Sequence, residues 1–161
     1  QFLVDVFHEW YAHDVGKIYV SQFDNLLGQW LGYPSTTCVH QPTCGQSLVT
    51  EANGDVYACD HFVYPEYKVG NLTQQPLTEI VLSSKQQQFG LEKSQKLTAL
   101  CRRCEFRKLC YGGCPKHRFV SLENEPNPHN YLCASYRYFF EQTAPYMQAM
   151  ARQIRLHPSA A

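Results

Sequence analysis

Eight cysteines are the residues of this 161-residue chain whose type and spacing could do chemistry. Four of them crowd into Cys101-x2-Cys104-x5-Cys110-x3-Cys114, and the others are Cys38, Cys44, Cys59 and Cys133. Thiolates separated by so few residues can converge on one inorganic centre with only a tight turn between them. Eight such ligands complete two sets of four. The spacing therefore predicts two metal sites, and it favours iron-sulfur clusters.

Zinc and disulfide bonds are the alternative chemistries for the same cysteines. Disulfides tolerate irregular spacing, but pairing among four thiols confined between Cys101 and Cys114 would be strained. Two zinc sites would instead indicate a module that binds nucleic acid or protein. His61, His117 and His129 are further candidate ligands, although eight cysteines already complete two sets. Both alternatives stay open on spacing alone.

Charge is distributed unevenly, although the formal net charge is zero. Between Cys101 and Arg118, six basic residues stand against one acidic residue, a local charge of six minus one, or +5. Such a stretch can bind the phosphates of a nucleic acid, or it can offset the negative charge of a cluster bound by four thiolates. The zero net charge favours the second interpretation, so we expect no nucleic acid partner. No apolar run approaches the ~18 residues of a membrane span, so we expect no membrane partner either.

The first part of the chain has a helix, strand, helix pattern. Apolar residues at helical spacing predict a helix over residues 1–13. The β-favouring residues that follow predict a strand over 17–23, and Asp24 is a candidate cap for a short helix that runs to residue 31. This alternation is typical of parallel α/β folds. It predicts the tail of an α/β domain whose main body precedes this chain.

A hairpin is predicted in the cysteine-rich part. Asn53-Gly54 is a strong turn signal because both residues accept positive φ, and it separates candidate strands at 47–51 and 55–59. The turn would bring Cys44 and Cys59 to the same end of the hairpin.

Two helices are predicted farther along the chain. Pro76 starts a helix over residues 77–89, and Gly90 ends it. An apolar stripe at helical spacing predicts a closing helix over residues 131–154. The last helix would bury its stripe against the core.

The complete cysteine pattern resembles a known family. Cys44-x9-Gly54-x4-Cys59, followed by the dense run and then Cys133, resembles the seven-cysteine SPASM signature found after the barrel of many peptide-modifying radical SAM enzymes. Within that group, the segment from Cys44 to Asn71 and the extra upstream Cys38 look like the anaerobic sulfatase-maturating enzymes. The resemblance covers essentially the whole chain.

The resemblance implies an α+β fold in two parts. Residues 1–33 would be the last α/β elements of a truncated, partial TIM-type barrel. Residues 34–161 would be a small SPASM-type domain, with a β-hairpin and helices around two iron-sulfur clusters and a C-terminal helix that closes it. Folding of such a region should depend on cluster loading.

The resemblance also implies cofactors and their ligands. One auxiliary 4Fe-4S cluster would be held by Cys38, Cys44, Cys59 and Cys114, and a second by Cys101, Cys104, Cys110 and Cys133. The family's Cys-x3-Cys-x2-Cys loop is not among these residues. A third 4Fe-4S cluster and S-adenosylmethionine would therefore belong to a missing N-terminal part, and we expect this chain to be inactive alone.

The family's reaction oxidises a cysteine or serine of a sulfatase to Cα-formylglycine. By resemblance, Asp60 is the general base, and a carboxylate beside an anionic cluster should have a raised pKa suited to that task. The implied partners are an unfolded or nascent sulfatase polypeptide and an electron carrier such as flavodoxin or ferredoxin, in the cytoplasm. The alternatives are a maturase of another peptide and a stand-alone iron-sulfur electron-transfer protein.

Overall fold

The computed structural model describes residues 1–157, which form an α+β fold. The helices are α1 (Phe2–His13), α2 (Ser21–Leu31), α3 (Leu77–Leu82), α4 (Ser84–Gln95), α5 (Ala99–Arg103), α6 (Arg107–Cys110) and α7 (Cys133–Leu156). The strands are β1 (Val49–Thr50), β2 (Asp55–Tyr57), β3 (Lys68–Asn71), β4 (Arg118–Val120) and β5 (His129–Asn130). One-turn 3-10 helices lie at Cys38–His40, Pro65–Tyr67 and Pro115–His117. None of the helices within residues 1–157 combines the length and the apolar character needed to cross a bilayer.

An aromatic core joins α1 and α2 to α7. The Phe7 ring meets Phe23 of α2 edge-on at 5.3 Å and Phe139 of α7 at 6.3 Å between centroids. Phe106 and Leu109, at and inside α6, are buried in the same cluster. Each buried aromatic side chain contributes about 1.5–3 kcal/mol relative to exposure. The segment from Cys101 to Cys114 is thus packed against the core of α1, α2 and α7 through α6.

The predicted strand at 17–23 is wrong, because α2 begins at Ser21. The Asp24 carboxylate accepts a hydrogen bond from the backbone N–H of Val20 at 2.9 Å, which satisfies a donor at the start of the helix. Phe23 and Leu26 then face the core at helical spacing. Residues 1–33 contain two helices and no strand in this structure. The α/β pattern is therefore not observed there, and the barrel assignment stays a prediction.

The hairpin prediction is confirmed, with shorter strands and a different loop. β1 and β2 pair antiparallel, with Val49 opposite Tyr57. Gly54 has φ of 85°, and its N–H donates to the Glu51 carbonyl at 2.9 Å, as in a three-residue hairpin loop that ends in a left-handed residue. β3 adds a third antiparallel strand beside β2, which the sequence analysis missed.

The helix predicted at 77–89 is two helices, α3 and α4. Ser83 breaks the chain with ψ of 147°, and its hydroxyl accepts from the Gln86 N–H at 3.2 Å as the cap of α4. Gly90 does not end the helix but lies inside it. The closing helix is confirmed as α7, displaced by two residues at each end from the predicted 131–154.

Gly90 is in α4 because another backbone segment approaches it closely. A Cβ at this position would lie 2.7 Å from the Cys44 carbonyl oxygen. Gly90→Ala is therefore expected to destabilise the fold by about 1–3 kcal/mol through overpacking. Gly28→Ala in α2 is the matched control, because nothing lies within 4 Å of its added Cβ. Thermal unfolding should give a lower midpoint for the first variant and a raised one for the second, and similar midpoints would contradict the prediction.

Candidate metal centres

The first candidate site is a cavity of about 30 Å³ beside the hairpin. The cysteines in its wall are Cys38, Cys44, Cys59 and Cys114. They come from four separate places, namely a one-turn helix, the loop behind it, the end of the hairpin and the turn before β4. The fold thus gathers thiols that lie up to 76 positions apart, from 38 to 114, at one point.

One face of α4 supports this first cavity. Gln86, Gly90 and Lys93 are buried and stand at helical spacing on that face. The Gln86 amide donates to the carbonyls of Gly45 and Ala58, at 2.8 and 3.1 Å, which are the neighbours of two of the cysteines. In the sequence, this face is visible only as polar and glycine residues at helical spacing, without any sign that they are buried.

The second candidate site is a cavity of about 110 Å³ between α5, α6 and α7. The cysteines in its wall are Cys101, Cys104, Cys110 and Cys133. Thr98 caps α5 by accepting from the Cys101 N–H at 3.3 Å. Asn130 accepts from the Leu132 N–H at 2.8 Å, immediately before Cys133 begins α7. Local hydrogen bonds therefore position both ends of this cysteine set.

A left-handed turn separates Cys110 from Cys114. Tyr111, Gly112 and Gly113 have φ of 47°, 73° and 63°. The Arg118 guanidinium donates to the carbonyls of all three, at 3.0–3.3 Å. Left-handed conformations favour glycine, so the two glycines allow the backbone to adopt this turn at little steric cost. The turn directs one thiol to the second cavity and the other, 7% exposed, to the first.

Burial disfavours the ionised form of several of these thiols. Burial raises the pKa of the Cys59 thiol to about 12 and that of Cys110 to about 11. All eight cysteines are free of disulfide bonds. A thiol with a raised pKa is a poor nucleophile at neutral pH, whereas a metal ion displaces its proton on binding. Four sulfur ligands around each cavity fit an iron-sulfur cluster or zinc.

Asp60 lines the first cavity from its solvent side. The Cys59 thiol donates to its carboxylate at 3.1 Å, and this hydrogen bond holds the pKa of Asp60 below its usual range. The direction is opposite to the predicted one, because the neighbouring sulfur carries its proton here and the carboxylate is exposed. The Asp60 N–H donates to the Ser47 carbonyl at 3.3 Å, which fixes the backbone.

Two of the three candidate histidines lie beside a cysteine. His61 Nδ1 is 3.7 Å from Cys114 Sγ in the first site, and His129 Nδ1 is 3.7 Å from Cys101 Sγ in the second. His117 instead packs edge-on against Tyr131. Cys59, Asp60 and His61 also bring one ligand atom each within 4.8 Å of one another, an arrangement that could hold a single metal ion.

The six members of the basic stretch differ in exposure, and Lys116 is half-buried. The exposed members are Arg102, Arg103, Arg107 and Lys108. Arg118 is turned inward, and it is accompanied by the buried Lys93 of α4, which the sequence analysis did not single out. Buried or half-buried cations thus accompany the cysteines in addition to the exposed ones, of which Arg107 lines the second cavity.

Comparison with known proteins gives both a domain match and whole-chain relatives. The SPASM family model, an iron-sulfur cluster-binding domain, matches residues 38–105. A serine-type anaerobic sulfatase-maturating enzyme of Bacteroides thetaiotaomicron is 44% identical over 154 residues, which is 95% of this chain and 37% of that protein. A cysteine-type enzyme of Clostridium perfringens (strain 13 / Type A) is 32% identical over 157 residues, 96% of this chain and 42% of that protein.

Solved structures agree with the sequence comparison. The structure of native anSMEcpe with bound AdoMet and Cp18Cys peptide matches with a TM-score of 0.79 at 33% identity, over 95% of this chain and 42% of the other. The chain thus spans about two fifths of the length of the relatives it matches. On sequence and fold together, this chain is similar over 95% of its length to part of the anaerobic sulfatase-maturating enzymes, and the similar part includes a SPASM iron-sulfur cluster-binding domain.

Proposed function

We propose that this chain is the cluster-carrying part of a maturase that oxidises a cysteine or serine of a sulfatase to Cα-formylglycine. The observation that carries the proposal is the division of eight cysteines between two cavities, four to each. Four thiolates complete the coordination of a 4Fe-4S cluster and leave no open iron site. The proposed role of both sites is therefore electron transfer rather than substrate binding at iron.

The proposed ligand sets follow the two cavities. The first auxiliary 4Fe-4S cluster would be held by Cys38, Cys44, Cys59 and Cys114, and the second by Cys101, Cys104, Cys110 and Cys133. The donor chemistry fits, because every ligand is a free thiol. When bound, the clusters supply one-electron redox chemistry.

Asp60 is the proposed general base. The side-chain carbon of the target residue loses a hydrogen atom, its thiol or hydroxyl loses a proton, and one electron leaves. These losses together are a two-electron oxidation, which gives the aldehyde directly from serine and gives a thioaldehyde from cysteine that water hydrolyses with release of hydrogen sulfide. Asp60 lines the first cavity and is exposed on the other side, so its carboxylate can accept that proton beside the site that would accept the electron.

The remaining parts of the reaction are assigned to polypeptide outside this chain. We propose that residues 1–33 are the end of the radical SAM barrel and residues 34–161 the auxiliary domain, with a third 4Fe-4S cluster and S-adenosylmethionine bound by the preceding part. The proposed substrate is an unfolded or nascent sulfatase polypeptide, and the structure of a relative with bound AdoMet and peptide supports that class. Flavodoxin or ferredoxin would carry the electron away in the cytoplasm.

Metal analysis tests the proposal directly. After anaerobic purification and reconstitution, the chain should hold about eight iron and about eight sulfide ions, because two 4Fe-4S clusters contain that number. Acid-labile sulfide separates this result from zinc binding at the same thiols. Stoichiometric zinc without sulfide would contradict the proposal and favour a zinc-binding module instead.

A further inference from the structure

Lys93 is a buried lysine without an acidic partner. Its side chain is 1% exposed, and Nζ donates to the backbone carbonyls of Cys38, at 2.5 Å, and Val39, at 3.0 Å. Among residues 1–157, no carboxylate oxygen lies within 4.0 Å of this Nζ. An ammonium group removed from water costs several kcal/mol unless negative charge compensates it. Two carbonyl dipoles alone are a weak compensation.

A second cation, Arg118, adds to the uncompensated positive charge. The Arg118 guanidinium donates to the Lys93 carbonyl at 2.7 Å and to the turn between Cys110 and Cys114. Its own partners are therefore neutral carbonyl groups as well. Two like charges in a partly desolvated region repel each other, so the region requires an anion.

The hydrogen bond from Lys93 to the Cys38 carbonyl places its ammonium group behind the backbone of the first site. Burial lowers the pKa of Lys93, and the opposing electrostatic influences come from Cys44, Cys38 and Cys114. For Arg118 they come from cysteines of both cavities, namely Cys101, Cys44, Cys110 and Cys114. Negative charge placed on the sulfurs of the first cavity would compensate Lys93, whereas Arg118 lies between the two sets of cysteines.

We propose that Lys93, assisted by Arg118, is the countercharge of the first cluster and raises its reduction potential. The inference rests on the proposed function, because it requires a cluster on Cys38, Cys44, Cys59 and Cys114. Reduction adds one electron to a centre that is already negative, and a fixed cation stabilises the reduced form more than the oxidised form. Lys93 thus acts through the positive charge that it places beside the first cluster, and it does not contact the substrate.

A purely structural role for Lys93 gives a different expectation. In that case its hydrogen bonds would hold the Cys38–Val39 backbone, and any side chain that kept those bonds would serve equally well. Lys93→Gln keeps a donor and removes the charge, Lys93→Met removes both, and Lys93→Arg keeps both. Lys96→Gln is the matched control, because Lys96 lies one turn away in sequence, is exposed and pairs with Glu92.

The test is a redox titration with dithionite of the anaerobically reconstituted protein, followed by electron paramagnetic resonance. Lys93→Gln and Lys93→Met should each lower the reduction equilibrium constant of one cluster roughly tenfold, which is about 59 mV for one electron. The affected step should be the one that moves or disappears in Cys38→Ser. Lys93→Arg should restore the original value, and Lys96→Gln should leave both steps unchanged.

Unchanged potentials in Lys93→Gln and Lys93→Met, with iron and sulfide intact, would overturn the inference and leave the proposed function standing. Loss of the first cluster in those two variants but not in Lys93→Arg would support a requirement for positive charge, whereas its loss in all three would assign Lys93 a structural role. An unsubstituted protein without labile sulfide would refute the proposed function itself.

Discussion

Cys114→Ala should leave the reconstituted protein with about four iron ions instead of about eight, because the first cluster loses a ligand and the second loses none. The two cavities share no cysteine, although Cys110 and Cys114 are close in sequence. Cys110→Ala should give the same iron content through loss of the other cluster. Iron and sulfide analysis of the anaerobically reconstituted variants measures both results.

Paired substitutions test the division of the ligands more sharply. Cys38→Ala combined with Cys114→Ala removes two ligands of one set, so about four iron ions should remain. Cys38→Ala combined with Cys110→Ala removes one ligand from each set, and almost no iron should remain. Each double variant carries two alanines, so they control for each other. Equal iron contents in the two would contradict the division of ligands between the cavities.

The division of the cysteines could not be obtained from spacing alone. Spacing groups Cys101, Cys104, Cys110 and Cys114 as one compact set, and only the family resemblance assigned Cys114 elsewhere. The structure provides a physical reason for the separation, because three left-handed residues and the Arg118 guanidinium reverse the chain between Cys110 and Cys114. A sequence reveals Gly112-Gly113 as a bend but not its direction.

Local signals predicted the elements that depend on local interactions. The Asn53-Gly54 turn and the apolar stripe of α7 both correspond to observed structure. The strand expected at 17–23 was wrong because Phe23 and Leu26 bury a helical face against α7, a tertiary effect that β propensity does not include.

The roles of Gly90 and Lys93 could be recognised only in the structure, and for the same reason. Glycine and lysine normally indicate a helix end and an exposed position, respectively. Here Gly90 admits the Cys44 backbone, and Lys93 reaches the carbonyls behind Cys38. Both exceptions are on the face of α4 that supports the first cavity. Residues that depart from the usual structural preferences of their type therefore lie beside the candidate metal site.

Asp60→Asn should reduce formylglycine production by about 10²–10⁴-fold in the full-length enzyme, because the amide cannot accept the proton that the substrate thiol or hydroxyl must lose. The substitution preserves the size of the side chain and removes none of the four cysteines in the wall of the first cavity. Cluster content should consequently stay at the unsubstituted level. Mass spectrometry of a sulfatase peptide measures the product, and iron analysis measures the clusters.

Two further measurements separate a base from other roles of Asp60. Glu66→Gln is the control, since Glu66 is an exposed carboxylate a few residues away in the same segment, and its production of formylglycine should be unchanged. Cleavage of S-adenosylmethionine should continue in Asp60→Asn, because that step precedes loss of the substrate proton. Full formylglycine production with intact clusters would remove Asp60 as the base. Loss of iron together with activity would instead make Asp60 a support for Cys59, whose thiol it contacts directly.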